Sequence, residues 1–455
     1  MTEFSRRSLL AATPALVGAA LAAPALAGSP RLFDITHFGA IGDGRTVNTA
    51  AIQKAIHACA AAGGGTIVVP AGVFVSGSIW LDPGVNLELR KDAVLKGSTD
   101  PADYPLTLRR FVETYPEALR LALINARGNH GLRITGPGTL DGSGDPFWRR
   151  LFDEPSESYL GTRVYYHAPQ LCFIQDCTDV VIAGVTFHDS AFWNLHLYRC
   201  RNVVVEDCRF EVPHKIRAPS SDGTDLDSCQ DVTIRRCFYS VDDDCIALKG
   251  TQGAGARFFT EAPPVERIHI HDCEFKRGLG GVVFGTNATV IRDIRVERCS
   301  NWDRMPTIRF KLRPDTPGQV YERIRASELM LHAAPPGPWH GGEIFYGRKG
   351  SRGPVQGDGP LKGLIVGLEP DHGTKVAPQL PGAVIRDVLI EKVRGTTQGF
   401  GTLNASATTA ISAITLRDID VTLTDPALTP LFAKGVRGLT LDRVRVNGHA
   451  PKVVR

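Results

Sequence analysis

Methionine is nearly missing from this chain, with 3 among 455 residues, and aromatic residues make up only 7%. Against them stand 47 glycines and 30 prolines. That balance speaks against a helical bundle and for many short strands joined by turns. No basic run of five or more residues occurs, and the formal charge is only +4. Nucleic acid is therefore not an expected partner, and the charge gives slight encouragement to an acidic substrate. C-x-x-C pairs are also missing, so the 10 cysteines make no metal motif of that type. Four of them, Cys208, Cys237, Cys273 and Cys299, close the phrases VVVEDC, VTIRRC, IHIHDC and IRVERC. A cysteine recurring at one place in a repeated phrase reads as a small buried hydrophobe, not as half of a disulfide.

The N-terminus has a different character. Ser5-Arg6-Arg7-Ser8 precedes an apolar, alanine-rich stretch from Leu9 to Leu26, and Ala25-Leu26-Ala27 supplies a small-x-small cleavage pattern. The paired arginines resemble a twin-arginine export signal. The expectation is that residues 1–27 are a signal peptide, leaving a periplasmic or secreted protein of residues 28–455 with no stable membrane anchor. A protein exported by that route folds first in the reducing cytoplasm, where disulfides rarely form.

The remainder repeats itself. DVVIAGVTF (179–187), NVVVEDCRF (202–210), DVTIRRCFY (231–239), RIHIHDCEF (267–275) and DIRVERCSN (293–301) share one pattern, and weaker copies follow at 387–395, 413–421 and 438–446. Each alternates β-branched with polar residues, the period of a strand. Successive starts lie 23, 29, 36 and 26 residues apart, one coil of strand, turn and strand. No copy can bury its apolar side alone, so the copies must stack into a solenoid. The fold expected is all-β: a single-domain, single-stranded right-handed parallel β-helix. Residues 48–62, with Ile52, Ile56 and Cys59 on one side, Asn48 or Thr49 as cap and Gly63-Gly64-Gly65 as stop, predict a helix closing its N-terminal end. The segments TIVVPAGVF and DGSGDPFW read as early coils with long turns.

The densest polar constellation lies in SSDGTDLDSC (220–229) and VDDDCIALKG (241–250), with Asp222, Asp225, Asp227, Asp242, Asp243 and Asp244. Asp222 and Asp243 are separated by 21 residues, close to one coil, so they should stack on adjacent rungs. Stacked like charges repel and push at least one pKa upward, which suits a general acid. A calcium site and turn-capping aspartates remain alternative readings. Two rungs on, TIRFKL carries Arg309 and Lys311 at one parity and Phe310 at the other. Two cations on an outer face can bind an anionic sugar or orient the acids.

In this order the motifs resemble glycoside hydrolase family 28, the polygalacturonase family. Its Asn-Thr-Asp, Gly-Asp-Asp, Gly-His-Gly and Arg-x-Lys segments are matched by Ser220-Ser221-Asp222, Asp242-Asp243-Asp244, Gly278-Leu279-Gly280 and Arg309-Phe310-Lys311. FDITHFGAIGDGRTVNTAAIQKAI (33–56), ITGPGTLDGSG (134–144) and SAFWNLHLYRC (190–200) also look like that family. The resemblance implies inverting single-displacement hydrolysis of a pectic poly- or oligosaccharide, of galacturonan or rhamnogalacturonan type, without metal or organic cofactor. It implies Asp243 as general acid, with Asp222 and Asp244 holding and activating water. Arg309 and Lys311 would bind the sugar, with Lys311 the partner of a uronate carboxylate and Asp225 beside them in the substrate-binding group. Inverting enzymes ordinarily space their carboxyls roughly 6.5–9.5 Å apart. Ser220-Ser221 and Leu279 depart from the family pattern, and a leucine cannot hydrogen-bond acid or substrate. An apolar patch for a deoxysugar methyl is the functional reading of Leu279; a side chain turned into the core is the structural one. Two rival functions share the fold: a calcium-dependent pectate-lyase-type eliminase and a non-catalytic β-helical carbohydrate-binding protein.

Overall fold

The computed structural model describes residues 31–109, 117–153, 158–159, 162–166, 168–212, 218–250, 263–285, 290–302, 305–312, 318–333, 365–369, 383–405, 409–424 and 430–455. The expected signal peptide lies outside them. The chain winds as a right-handed parallel β-helix. Each coil gives one strand to a 12-stranded sheet and pairs it with the strand one coil before and after. The other faces form a 22-stranded sheet made of two ladders, which merge where Val320–Leu331 pairs with strands of both.

The repeats set the register. Val180 pairs with Val203, Val203 with Val232, Val232 with Ile268 and Ile268 with Ile294, the coil lengths that the repeated phrases carry. The weaker copies continue the ladder through Ala383–Thr397, Thr409–Leu423 and Arg437–Val446. Alternation then decides the interior. Val180, Ile182, Val203, Val205, Val232 and Ile234 all point inward, in one hydrophobic core that runs from Ile35 to Val446. Phe187, Phe210 and Tyr239 stack on consecutive coils at 4.7 and 4.8 Å between centroids. Burying such a side chain contributes roughly 1.5–3 kcal/mol. All ten cysteines are free and buried, in keeping with their place in the repeated phrases.

A helix, Thr49–Ala61, buries Ile52, Ala55, Ile56 and Cys59 and packs on the first strands, Leu32–Asp34, Gly65–Val69 and Ile79–Leu81. It thereby shields the apolar opening of the first coil. Two details differ from expectation. The Asn48 side chain does not cap the helix. Its amide instead bridges Ile41 and Thr46, accepting from the Ile41 N–H at 2.7 Å, which ties down the loop before the helix. DGSGDPFW is not a plain turn: after the strand Thr139–Asp141, Asp145 opens a short helix, Asp145–Asp153, whose Phe147 and Trp148 join the core. Among the described residues, no helix is long and apolar enough to cross a membrane.

Candidate active site

Five strands of the 12-stranded sheet build the site: Leu195–Tyr198, Thr224–Asp227, Asp244–Lys249, Gly280–Phe284 and Ile308–Lys311, paired in that order. Leu226, Leu248, Phe284 and Phe310 point into the core. The opposite parity therefore turns His196, Asp225, Lys249, Arg309 and Lys311 to the outer face.

Asp222 and Asp243 are not opposite one another. Thr224 pairs with Ile246 and the Gly223 N–H donates to the Asp244 carbonyl, so this coil is 22 residues long and Asp222 lies opposite Asp244. Asp243 sits one residue earlier, in the turn before the strand. The backbone around Asp222 is held closely: Asn194 Nδ2 donates to its carbonyl at 3.0 Å. A Cβ on Gly223 would come within 2.5 Å of the Cys245 carbonyl oxygen and of the Tyr239 ring, so only glycine lets the two coils approach this closely.

Carboxylate oxygens of Asp222, Asp243 and Asp244 lie within 4.8 Å of one another. That is tighter than the separation ordinarily seen in inverting enzymes. One water bonded to two carboxylates by O–H···O bonds of about 2.7 Å fits oxygens spaced up to that distance. Cations surround the group. Lys311 Nζ is 2.6 Å from Asp244 Oδ2, and Arg309 Nη1 is 3.8 Å from Asp244 Oδ1. Lys249 Nζ lies 3.1 Å from Asp222 Oδ2, 2.9 Å from Asp225 Oδ1 and 3.8 Å from the centre of the Trp193 ring. Four aspartates thus face three cations, and one added proton makes the cluster neutral.

The environment separates the carboxyls. Burial raises Asp222 well above the usual carboxylate range, with the neighbouring aspartates adding to it and Lys249 opposing it. Asp243 is raised as well, first by burial and then by Asp244. Asp244 moves the other way: burial works against its charge, but Lys311 and Arg309 together outweigh that and hold it below the ordinary value. Burial pushes Asp225 up to about 6 against the pull of Lys249. Among Asp222, Asp243 and Asp244, only Asp243 is part-exposed, so it alone can hand a proton outward.

Three placements correct the expectation for the binding groups. Asp225 is fully buried, with Lys249 as its ion partner, not on the open surface where a sugar would lie. Arg309 and Lys311 keep one parity, yet their side chains are sealed, at 1% and 6% exposure, because both turn to Asp244. Lys311 is therefore committed to a protein carboxylate before any uronate arrives. Asp242, inside the acidic triplet, is set apart by its own ion pair with Arg277 and by the Ala218 N–H at 2.7 Å. Leu279 is part-exposed and outside the core; its N–H donates to the Asp243 carbonyl and its carbonyl accepts from Arg309 Nη1 at 3.1 Å. It stands at the mouth of the cluster and not in the interior.

Lys249 and Trp193 escaped the reading of the sequence, although both lie in phrases that it singled out. Lys249 has the parity of Ala247, and the 22-residue coil, one residue longer than the sequence spacing suggested, sets it opposite Asp227. Asp222, Asp243 and Asp244 are also the one group among the described residues placed to hold a metal ion. Two of its three carboxylates already have a lysine as partner.

Residues 59–332, more than half of the chain, match the family described as glycosyl hydrolases family 28. The chain is 32% identical over 225 residues to a Vitis vinifera protein described as a "Probable polygalacturonase", covering 47% of this chain and 43% of that one. It is 28% identical over 349 residues to the exo-poly-alpha-D-galacturonosidase of Dickeya chrysanthemi, covering 67% and 56%. The chain thus spans about half the length of these curated relatives. In fold it is similar to the family 28 exopolygalacturonase of Yersinia enterocolitica, with a TM-score of 0.71 at 21% identity over 93% of this chain and 78% of that one. On the extent of the match and the solenoid that carries it, this chain belongs to glycosyl hydrolases family 28.

Proposed function

We propose that the protein hydrolyses glycosidic bonds of pectic poly- or oligosaccharides, of galacturonan or rhamnogalacturonan type, by single displacement with inversion. The observation that carries this reading is the opposed environment of adjacent carboxyls: Asp243 is raised and reachable, while Asp244 is kept ionised by Lys311 and Arg309. Asp243 gives its proton to the leaving oxygen as the glycosidic C–O bond breaks. Water held between Asp222 and Asp244 attacks the anomeric carbon, and its proton passes to Asp244. Asp222 orients that water from the adjoining coil. The names of the relatives from Dickeya chrysanthemi and Yersinia enterocolitica support a galacturonate-containing substrate. Export by a twin-arginine route belongs to the same proposal, resting on Arg6-Arg7 and Ala25-Leu26-Ala27; ten unbridged cysteines suit folding before transport.

The test is a panel of pectic polymers and oligosaccharides scored for new reducing ends, for ultraviolet absorbance of unsaturated product, and for sensitivity to chelator. Reducing ends without unsaturation, unaffected by chelator, are expected. Unsaturated, chelator-sensitive product would assign elimination instead. Proton NMR of the first product should show the inverted anomer; the retained anomer would make one aspartate a nucleophile.

A further inference from the structure

Lys311 and Lys249 are both ion-paired to aspartates, so a cation not engaged by a protein carboxylate would add to the hold on a uronate in the cleft. Lys276 is the candidate that the register provides. Tyr239 pairs with Phe275 but Ser240 pairs with Arg277, so Lys276 is the extra residue of a bulge, and bulges commonly re-aim a side chain beside an active site. It is exposed, and no carboxylate among the described residues comes within ion-pair distance of it. The next two coils continue its column. Phe275 pairs with Asn301 and Asn301 with Leu331, so Lys276, Trp302 and His332 follow one another on three consecutive coils. Lys276 Nζ stands 3.9 Å from the Trp302 ring centre, and His332 stacks on Trp302 at 3.8 Å with rings 10° from parallel.

We propose that Lys276, held by the Trp302–His332 stack, is a sugar subsite that binds the carboxylate of a uronic acid residue next to the scissile bond. Leu279 lies three Cα steps along the chain from Lys276, at most about 11 Å when extended, and is bonded to the backbone of Asp243. Coils are about 4.8 Å apart, so the column leads away from Asp243 along the solenoid axis. A polysaccharide lying along that axis brings its neighbouring unit over the column. The ring beneath the ammonium restrains it without neutralising it, so its charge remains for a ligand carboxylate.

This inference rests on the pectic reading, and its test separates the two. Binding of trigalacturonate is measured by calorimetry in the Asp243→Asn variant and in Asp243→Asn/Lys276→Gln, which needs no turnover. The second variant should bind roughly tenfold more weakly, the loss expected for a hydrogen bond to a charged group, and Asp243→Asn/Lys276→Arg should recover most of it. In the active enzyme, Lys276→Gln should raise KM on the acidic polymer that is cleaved fastest, leave kcat within about twofold, and change nothing on the methyl-esterified polymer. Equal affinity in the two calorimetry variants would overturn the subsite, as would an equal loss on acid and ester. If no pectic polymer is cleaved and trigalacturonate still binds through Lys276, the subsite stands and the hydrolase reading falls.

Discussion

Two stacks of charge run along this solenoid, and they obey opposite rules. On one exposed corner, successive coils alternate acid and base: Asp207 meets Arg236, Asp272 meets Arg298, Glu328 meets Lys392 and Asp418 meets Arg443. All eight residues take positive φ, so the coil turns at the same place each time and a charge of the other sign lies next in line. At the site, Asp222 lies opposite Asp244, with Asp225 and Asp243 alongside. Alternation is the arrangement that stacked turns adopt when nothing else is asked of them; exposed pairs of that kind are worth little, and salt screens them. Stacking like charges out of water costs stability unless cations are supplied from the side, and Lys249 from one strand and Arg309 and Lys311 from another do so. The corner holds Asp272 well below the usual range through Arg298, whereas the site raises Asp222 and Asp243. Where a stack breaks alternation, its protons become available for chemistry.

The contrast can be broken at its strong end first. Asp243→Asn should lose about 10²–10⁴-fold in kcat, the usual cost of removing a general acid. Its melting temperature should hold or rise, because the amide removes a like charge. A variant that melts early and turns over normally would make Asp243 structural. Leu279→His comes next. If Leu279 receives a sugar methyl, activity on the natural substrate should fall roughly fourfold, the worth of one buried methyl at ~0.8 kcal/mol, with little gain on polygalacturonate. Because Leu279 is part-exposed, melting should change little, and a clear rise in polygalacturonate turnover would refute the apolar-patch reading. Arg298→Ala is the smallest: melting in moderate salt and kcat/KM should both match the parent. A large loss of either would mean that the corner ladder is not the passive stack described above.

The parts of this architecture that were legible in the sequence are those set by local alternation. Val203, Val205 and Cys208 repeat at Val232, Ile234 and Cys237 because every coil must bury the same positions, so register could be read from one phrase to the next. Parity likewise separated Arg309 and Lys311 from Phe310. What could not be read depends on coil length at the turns. One residue more than expected sets Asp222 opposite Asp244 and leaves Asp243 in the turn, where it is reachable. The commitment of Lys311 to Asp244 spans 67 residues and two intervening turns of unequal length. Lys249 was hidden for a related reason: its partners Asp222 and Asp225 belong to the previous coil, and a lone lysine at a strand end has no local signature. Burial of Asp225 follows from the packing of that whole face and has no local signal either.

The most direct test of the opposed carboxyls is the pH dependence of kcat/KM on the best pectic substrate. Lysine and arginine lower Asp244, so the acid limb should fall below the ordinary aspartate value, as protons neutralise the base. Burial and a neighbouring charge raise Asp243, so the alkaline limb should lie above that value, as the acid is lost. The two limbs belong to the coupled cluster, and Asp243→Asn should remove the alkaline one from its residual activity. A bell with these limbs is the result predicted. Activity that climbs through the carboxylate range without falling again, in parent and variant alike, would mean that no aspartate here works as a protonated acid and would contradict the account.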